Sequence, residues 1–367
     1  MTKFNEKSQN PLVELVCSLR KKALGKKSEY TREQLEKPVS YWTKDERLLN
    51  EIGKEFTLIL KTKGCSWALS DSGGCYMCGY IQDAHIQRVP SDFIIKQFDY
   101  ALEQKLNEIE NQNSNYIIKI FNSGSFFDDT ELNKEVRIHI YNKISEIKAI
   151  KEVVIESRVE YLTLDSLLEL KEHLKNKYIE IGIGLETVNN YIRNVYINKG
   201  LSFDSFLEAF DMCKENKIGI KAYLLFKPPF LNEHAAIDDC SESIKTLINL
   251  KVNTISINPL NIQKGSLAEY LWYQNRYRPP WFYSLFECIR SAVNQNNLKS
   301  IRLLSDPSGA GTKRGIHNCL KRECNEVMIE MLRKFVLNQD LSVLNQKQEG
   351  LLDCDCKKIY LLQRAYH

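Results

Sequence analysis

The sequence predicts an α/β chain organised around a partial (β/α)6 barrel, with N-terminal helices before it and a cysteine-rich extension after it. Between about residues 55 and 260, short apolar runs alternate with segments of helical period, the pattern of a parallel sheet wound through crossover helices. Residues able to act on a ligand cluster at the C-terminal ends of those runs, where the loops and helix N-termini of a βα barrel converge. Three cysteines, Cys65, Cys75 and Cys78, follow the first run at once.

Taken in order, residues 1–50 form a helical segment of two short helices joined by Gly25 to Glu29, and Tyr41-Trp42 lead towards the first strand. The barrel spans 51–262, with strands at FTLILKT (56–62), YIIKIFN (116–122), EVVIES (152–157), IEIGIGL (179–185), IGIKAYLLF (218–226) and NTISINP (253–259). Between them, apolar stripes at helical spacing mark core-facing helices: Phe98, Leu102, Leu106 and Ile109; Val136, Ile140, Ile144 and Ile147; Phe206, Phe210 and Cys213; Ile237, Ile244 and Ile248. Cys17, Cys213, Cys240 and Cys288 read as small buried apolar residues. Residues 263–367 form a C-terminal domain that opens on an aromatic run, passes a Gly-rich turn, DPSGAGTKRG, and ends in a cysteine-bearing tail.

Composition narrows the function classes. No apolar run approaches the roughly 18 residues that span a bilayer, and the first residues lack an apolar leader, so a cytoplasmic protein without a membrane partner is expected. In that reducing compartment, clustered thiols among the 11 cysteines read as metal ligands rather than disulfides. A net charge of +4 excludes a polycation that coats nucleic acid. The local run Arg20, Lys21, Lys22, Lys26 and Lys27 reads as a solvated face, whereas Lys313, Arg314, Lys321 and Arg322 flank the tail cysteines.

Cys75 and Cys78 form a C-x2-C hook, and Cys65 lies across a nine-residue gap. A cubane cluster held by three thiolates keeps one iron open, whereas a structural zinc takes a fourth ligand; here His85 offers that second reading. At the other strand ends stand Ser123, Gly124 and Ser125, where glycine lets a backbone approach a ligand, then Glu156 and Arg158, a carboxylate for hydroxyls and a guanidinium for a carboxylate. Glu186 and Asn258 complete the set. Singly, each has a plain reading as a βα turn or a strand-end salt bridge; their shared placement at one mouth makes the functional case. In the tail, Cys319, Cys324, Cys354 and Cys356 can close a four-thiolate Zn2+ site, with His317 as a substitute ligand. An auxiliary iron-sulfur cluster and four unconnected thiols are the other readings.

The barrel resembles the radical S-adenosylmethionine superfamily, and the long gap between the first two cysteines is similar to its Elp-type branch. More narrowly, GGCYMCGY, FNSGSFFDD, IESRVEY, GLETVNNYIRN, KAYLLFKPPF and GIHNC, in that order, resemble the archaeosine-completing radical enzyme family of archaea, over about residues 55 to 360. This resemblance implies that Cys65, Cys75 and Cys78 hold a [4Fe-4S] cluster, that Ser123 to Ser125 meet the methionine amino group of S-adenosylmethionine, and that Glu156 and Arg158 meet its ribose and carboxylate. Glu186 would face cofactor or substrate, and Asn258 would line the cofactor site. Where the superfamily places an aromatic before the last cysteine, this chain has Met77, so Met77, Tyr76 or Tyr80 would pack on adenine.

The implied reaction is a lyase step on transfer RNA. Lysine joined by a partner subunit to 7-cyano-7-deazaguanine is cleaved at its C-N bond, leaving archaeosine, with an electron donor required. Basic residues around 313–322 and the aromatics of 270–286 would serve phosphate contact and base stacking. Two alternatives stay open: another Elp-type RNA-modifying enzyme, and a non-catalytic zinc and iron-sulfur RNA-binding protein.

Overall fold

The six apolar runs each form a strand within a few residues of the expected place, and two further strands extend the sheet. In the computed structural model, which describes residues 11–25, 29–345 and 354–366, the strands are β1 (Ser40–Arg47), β2 (Ile52–Ile59), β3 (Tyr116–Phe121), β4 (Ile150–Glu156), β5 (Tyr178–Glu186), β6 (Gly219–Phe226), β7 (Thr254–Pro259) and β8 (Arg302–Leu304). They lie side by side in chain order. β1 runs antiparallel to β2, and all other neighbours are parallel.

The helices among the described residues are α1 (Val13–Leu24), α2 (Arg32–Leu35), α3 (Ser66–Leu69), α4 (Ser91–Asn111), α5 (Lys134–Glu146), α6 (Leu164–His173), α7 (Phe203–Glu215), α8 (Glu233–Leu250), α9 (Leu267–Tyr273), α10 (Phe282–Ala292), α11 (Arg322–Asn338) and α12 (Cys356–Gln363). None is long and apolar enough to cross a membrane. Asn133, Thr163, Ser202 and Asn232 accept backbone N–H bonds at the starts of α5 to α8, which fixes where each crossover helix begins.

Each strand divides its residues between two faces, and the faces differ sharply in chemistry. Ile118, Ile120, Val153, Ile155, Ile181, Ile183, Ala222, Leu224, Ile255 and Ile257 point outward into the main core. Against them pack the expected helical stripes: Phe98, Val136, Ile140, Ile144 and Phe206 are all fully buried. Each such side chain contributes about 1.5–3 kcal/mol of burial free energy. The core continues past residue 262 through α10, β8 and α11, so the C-terminal segment supplies an edge strand to the same sheet.

The inner face is charged. Lys119 pairs with both Glu46 and Glu55, and Arg302 of β8 donates to Glu152 of β4 at 2.6 Å and to Glu180 of β5 at 2.7 Å. Arg302 also reaches the Arg47 carbonyl of β1 at 3.1 Å. Strands at opposite edges of a flat sheet of this width would stand roughly 34 Å apart at about 4.8 Å per strand spacing. A guanidinium bonded to both edges therefore requires the sheet to curl into a half-barrel. Strong ion pairing compensates these charges for leaving water.

Two expectations change here. The segment after α2 is a strand, β1, because Tyr41 to Glu46 find a partner in β2 despite their polar character. Arg20, expected on a solvated face, is 4% exposed. Lys26 and Lys27 of the same basic run lie outside the described residues, as do residues 1–10 and the start of the tail motif at 351–353.

Candidate active site

Glycines shape the cysteine loop. Gly64, at φ +94°, turns the chain beyond β2 into Cys65, and Gly73 and Gly74, at φ +72° and +77°, bring it back. A methyl group on Gly74 would fall 2.7 Å from the Ala68 Cα, so the returning strand of the loop lies directly on α3. Cys65, Cys75 and Cys78 thereby come within electrostatic reach of one another. Burial first, and the Cys75 sulfur second, raise the pKa of Cys65 and push that of Cys78 up to about 12. Thiols gathered in this way stay protonated unless a cationic centre compensates their charge.

The loop is clamped through its backbone. Arg20 of α1 donates from Nε to the Gly73 carbonyl at 2.6 Å, from Nη1 to Cys78 at 3.2 Å and from Nη2 to Cys75 at 3.3 Å. From the opposite side, Asn198 Nδ2 donates to the carbonyls of Ser72 and Gly74, both at 2.9 Å, and Gln263 Oε1 accepts from Gly79 N at 2.6 Å. Three segments far apart in the chain thus hold one loop. Neither Arg20, Asn198 nor Gln263 carries a recognisable motif, and only the basic run around Arg20 could have drawn attention to it.

The Ser123-Gly124-Ser125 turn lies against this loop. A Cβ on Gly124 would sit 2.8 Å from the Cys65 Cα and 1.8 Å from Glu131 Oε1, so glycine is obligatory there. Glu131 organises the turn: it accepts from Thr62 Oγ1 at 2.6 Å, Asn122 Nδ2 at 2.8 Å and Ser125 N at 2.9 Å. Ser123 Oγ donates to the Tyr80 carbonyl at 3.1 Å, and Ser125 Oγ accepts from Arg158 N at 3.1 Å.

Arg158 spends its own donors on the protein. It pairs with Glu160, donates to the Lys199 carbonyl at 3.1 Å, and stacks over Trp67 with its guanidinium carbon 5.2 Å from the ring centroid. Glu156, at the end of β4, sits beside Tyr223, and burial pushes its carboxyl up to about 7. Glu186 occupies a bulge between β5 and β6 at φ +69° and accepts from Lys199 Nζ at 2.7 Å. Inward-facing Gly182 and Gly184 make room for these contacts: a Cβ at Gly184 would meet Lys199 Nζ at 2.4 Å. Asn258 lies on β7, its amide oxygen 3.4 Å from Ser256 Oγ.

Tyr76 and Met77 pack among Val16, Leu225, Leu260 and Leu267, with Tyr76 fully buried. Tyr80 is 53% exposed. The aromatic run of 270–286 also turns inward. Tyr277, Trp281, Phe282 and Phe286 are buried, because Glu233 and Lys227 form a fully buried pair that anchors the segment, and Tyr273 alone of these is strongly exposed. A cleft lined by Arg47, Tyr178, Asn253 and Lys299 contains none of the expected site residues.

In the tail, the sulfurs of Cys319, Cys324, Cys354 and Cys356 all lie within 4.8 Å of one another. Cys319 and Cys354 are 3.5 Å apart, and Cys324 and Cys356 3.6 Å. Tetrahedral coordination with metal-sulfur bonds of about 2.3 Å sets sulfurs about 3.8 Å apart, so this spacing fits one zinc-sized ion. His317 is outside the set. Its Nδ1 lies 2.8 Å from the Gly315 carbonyl, and burial, with Arg278 nearby, holds its pKa down at about 4. Trp281, Tyr283 and Tyr360 wrap the cysteines, and the Tyr283 hydroxyl stands 3.4 Å from Cys356 Sγ.

No protein-family model matches the chain. It is 36% identical over 323 residues to archaeosine synthase subunit beta of Methanosarcina acetivorans, covering 88% of each protein. To archaeosine synthase subunit beta of Thermococcus kodakarensis it is 38% identical over 312 residues, covering 85% of this chain and 94% of that one. Among solved structures, Elp3 of Methanocaldococcus infernus is similar with a TM-score of 0.46 at 15% identity, over 66% of this chain and 59% of that one. Methylornithine synthase is similar with a TM-score of 0.43 at 10% identity, over 94% of this chain and 90% of that one. With two relatives above one-third identity along most of its length, the chain belongs to the archaeosine synthase subunit beta family.

Proposed function

We propose that this chain is a radical S-adenosylmethionine lyase that acts on lysine-adducted 7-cyano-7-deazaguanine in transfer RNA and cleaves the lysyl C-N bond to leave archaeosine. Family membership supports the product, and the subunit name of its relatives supports a second subunit, to which we assign lysine attachment. The observation that carries the reading is the gathering of Cys65, Cys75 and Cys78 on one glycine-shaped loop against the Ser123–Ser125 turn.

These three thiolates would hold a [4Fe-4S] cluster, and a three-cysteine set keeps one iron for the amino and carboxylate groups of S-adenosylmethionine. Bound together and given one electron by an external donor, the two supply hydrogen-atom abstraction. The protein's own part is placement and exclusion. Arg20, Asn198 and Gln263 fix the loop; Glu131 fixes the turn that would receive the methionine end; Glu156 offers its carboxylate to ribose hydroxyls. Arg158, bonded here to Glu160 and to the Lys199 and Gly200 carbonyls, would exchange one of these partners to meet the methionine carboxylate. Glu186 and Lys199, paired and buried, would help to keep water from a substrate held at this end of β5.

The four tail cysteines would hold zinc and staple α12 to the body of the protein. Exposed Lys313, Lys321 and Arg322, with Tyr273, remain our candidates for phosphate contact and base stacking.

The test is direct. Anaerobically reconstituted protein with dithionite and S-adenosylmethionine should release 5′-deoxyadenosine, and with lysine-modified transfer RNA mass spectrometry should find archaeosine. Absence of 5′-deoxyadenosine removes the radical enzyme. Its formation without archaeosine moves the chain to a different RNA substrate.

A further inference from the structure

Three aromatic rings stand in a row at the strand-end rim of the half-barrel. Tyr191 follows β5, Tyr196 closes the π-helical turn Ile192–Tyr196, and Phe230 follows β6. The ring centroids of Tyr191 and Tyr196 are 5.5 Å apart and those of Tyr196 and Phe230 5.4 Å, at interplanar angles of 72° and 62°. Tyr191 is 61% exposed and Phe230 46%. Rings set edge to face do not use up their faces on one another, so a further π system can stack there.

Two backbone irregularities build the row. In an α-helix, residues five apart point about 140° away from each other. Here the turn closes from Ile197 N to the Ile192 carbonyl at 3.1 Å, one residue wider, and Tyr191 and Tyr196 come onto one side. Phe230 has φ +73°, and Lys227 in the same loop +59°, a region that bulky side chains rarely enter. Buried contacts hold that loop. Lys227 Nζ pairs with Glu233 at 2.6 Å and donates to the Arg278 carbonyl at 2.9 Å, while the Lys227 carbonyl accepts from the Tyr277 hydroxyl at 2.7 Å. Backbone strain that keeps a phenylalanine ring in water, beside two other rings, points to a ligand for that surface.

The surroundings fit an RNA strand. The segments 189–200, 227–232 and 273–280 contain no aspartate or glutamate, and Arg276, next to the Tyr277 that bonds the Phe230 loop, is exposed. Phosphates that pass over the row therefore meet no carboxylate from these segments. Three partly exposed rings fall short of the roughly 800 Å² per partner that a stable protein interface covers, but they match two or three stacked bases. The row is also joined to the candidate active site. The Ile197 carbonyl, one residue past Tyr196, accepts from Tyr76 N at 2.8 Å, and Asn198 clamps the cysteine loop.

We propose that Tyr191, Tyr196 and Phe230 form a stacking platform for unpaired bases of the substrate transfer RNA, and so position the target nucleotide at the cysteine loop. The inference rests on the RNA substrate of the lyase reading above and adds the place where the strand is held.

The test uses the reconstituted holoenzyme without oxygen and transfer RNA carrying 2-aminopurine on the 3′ side of the target base. Wild-type protein should quench the 2-aminopurine fluorescence on binding, as stacking does. Tyr191→Leu and Phe230→Gly should each weaken transfer RNA binding by about fivefold or more and relieve the quenching, whereas Tyr191→Phe should keep both. Phe230→Gly should melt at or above the wild-type temperature, since glycine accepts φ +73° without strain, which separates lost stacking from a damaged fold. Wild-type affinity in both Tyr191→Leu and Phe230→Gly overturns the proposal, as does an equal loss in Tyr191→Phe and Tyr191→Leu. Intact transfer RNA binding with weakened binding of the second subunit makes the row a protein interface and overturns it too. The lyase reading falls on a different result: wild-type enzyme that binds and quenches the RNA yet releases no 5′-deoxyadenosine.

Discussion

The Arg20 guanidinium lies within hydrogen-bond reach of the Cys75 carbonyl, 3.3 Å from Nη2, while its other two nitrogens hold Gly73 and Cys78. One side chain from α1 thus fixes three points of the loop that carries two of the three site cysteines. Its positive charge also lowers the Cys78 pKa against the larger effect of burial. The N-terminal helix is therefore part of the site's construction and not a peripheral addition to the barrel.

A lysine cannot reproduce that grip. A guanidinium spreads its donors in a planar fork, whereas an ammonium on a flexible stem satisfies one carbonyl well and leaves others buried without partners. Arg20→Lys should cost about 3 kcal/mol of stability and lower the iron retained per chain after reconstitution. Thermal unfolding and iron analysis of the same preparations check both. Unchanged iron content would mean that the loop holds its shape without the clamp.

Gly124→Ala tests the contact between the two loops. The added methyl would sit 1.8 Å from Glu131 Oε1 and 2.8 Å from the Cys65 Cα, and neither neighbour is the free end of an exposed side chain. Glu131 must move, releasing Thr62, Asn122 and Ser125 together. A loss of at least about 2 kcal/mol follows from overpacking plus broken buried bonds. S-adenosylmethionine affinity should fall by about tenfold or more in equilibrium dialysis, since the turn meant to receive it is displaced.

Much of this arrangement was legible in the sequence, for identifiable reasons. Strands such as Tyr116–Phe121 and Gly219–Phe226 announce themselves through continuous apolar runs, and the cysteines through their chemistry. β1 escaped because Ser40–Arg47 is polar at most positions and owes its form to pairing with β2. β8 escaped because a strand of 3 residues leaves no period to read. Lys119, Glu180 and Arg302 look like solvent-facing members of alternating strands until the sheet curls and brings β8 across to β4 and β5. Glu131 is one acid among several in FDDTEL, and nothing local marks it as the residue that holds the Ser123–Ser125 turn. Closure and long-range clamping are properties of the tertiary fold, so single positions carry no trace of them.

The tail should keep its metal independently of the first cysteine set. A Cys65→Ala/Cys75→Ala/Cys78→Ala protein is expected to retain about one zinc per chain with no iron, and Cys324→Ser to lose zinc while keeping iron. Metal analysis by mass spectrometry decides it. Because Cys356 begins α12 and Tyr360 packs on Trp281 and Tyr283, zinc loss should also expose this helix to proteolysis. Iron in the tail of the triple variant would replace zinc with an auxiliary cluster.

Glu156 gives stability a pH dependence of definite sign. Burial raises its carboxyl to about 7, above its ordinary value, so the folded state favours the protonated form. Below the unfolded pKa, near 4.3, both states are protonated and this contribution is fully present; as pH rises to 7 and beyond, the unfolded chain ionises first and the contribution is lost. Glu156→Gln removes the titration. Relative to wild type, the variant should gain stability steadily between about pH 4.3 and 7 and hold a constant advantage above that. Thermal melts of both proteins at pH 5 and pH 8 measure the difference. An offset equal at the two values would show that Glu156 ionises in the barrel as readily as in water, with Lys199 and Lys221 then compensating its charge.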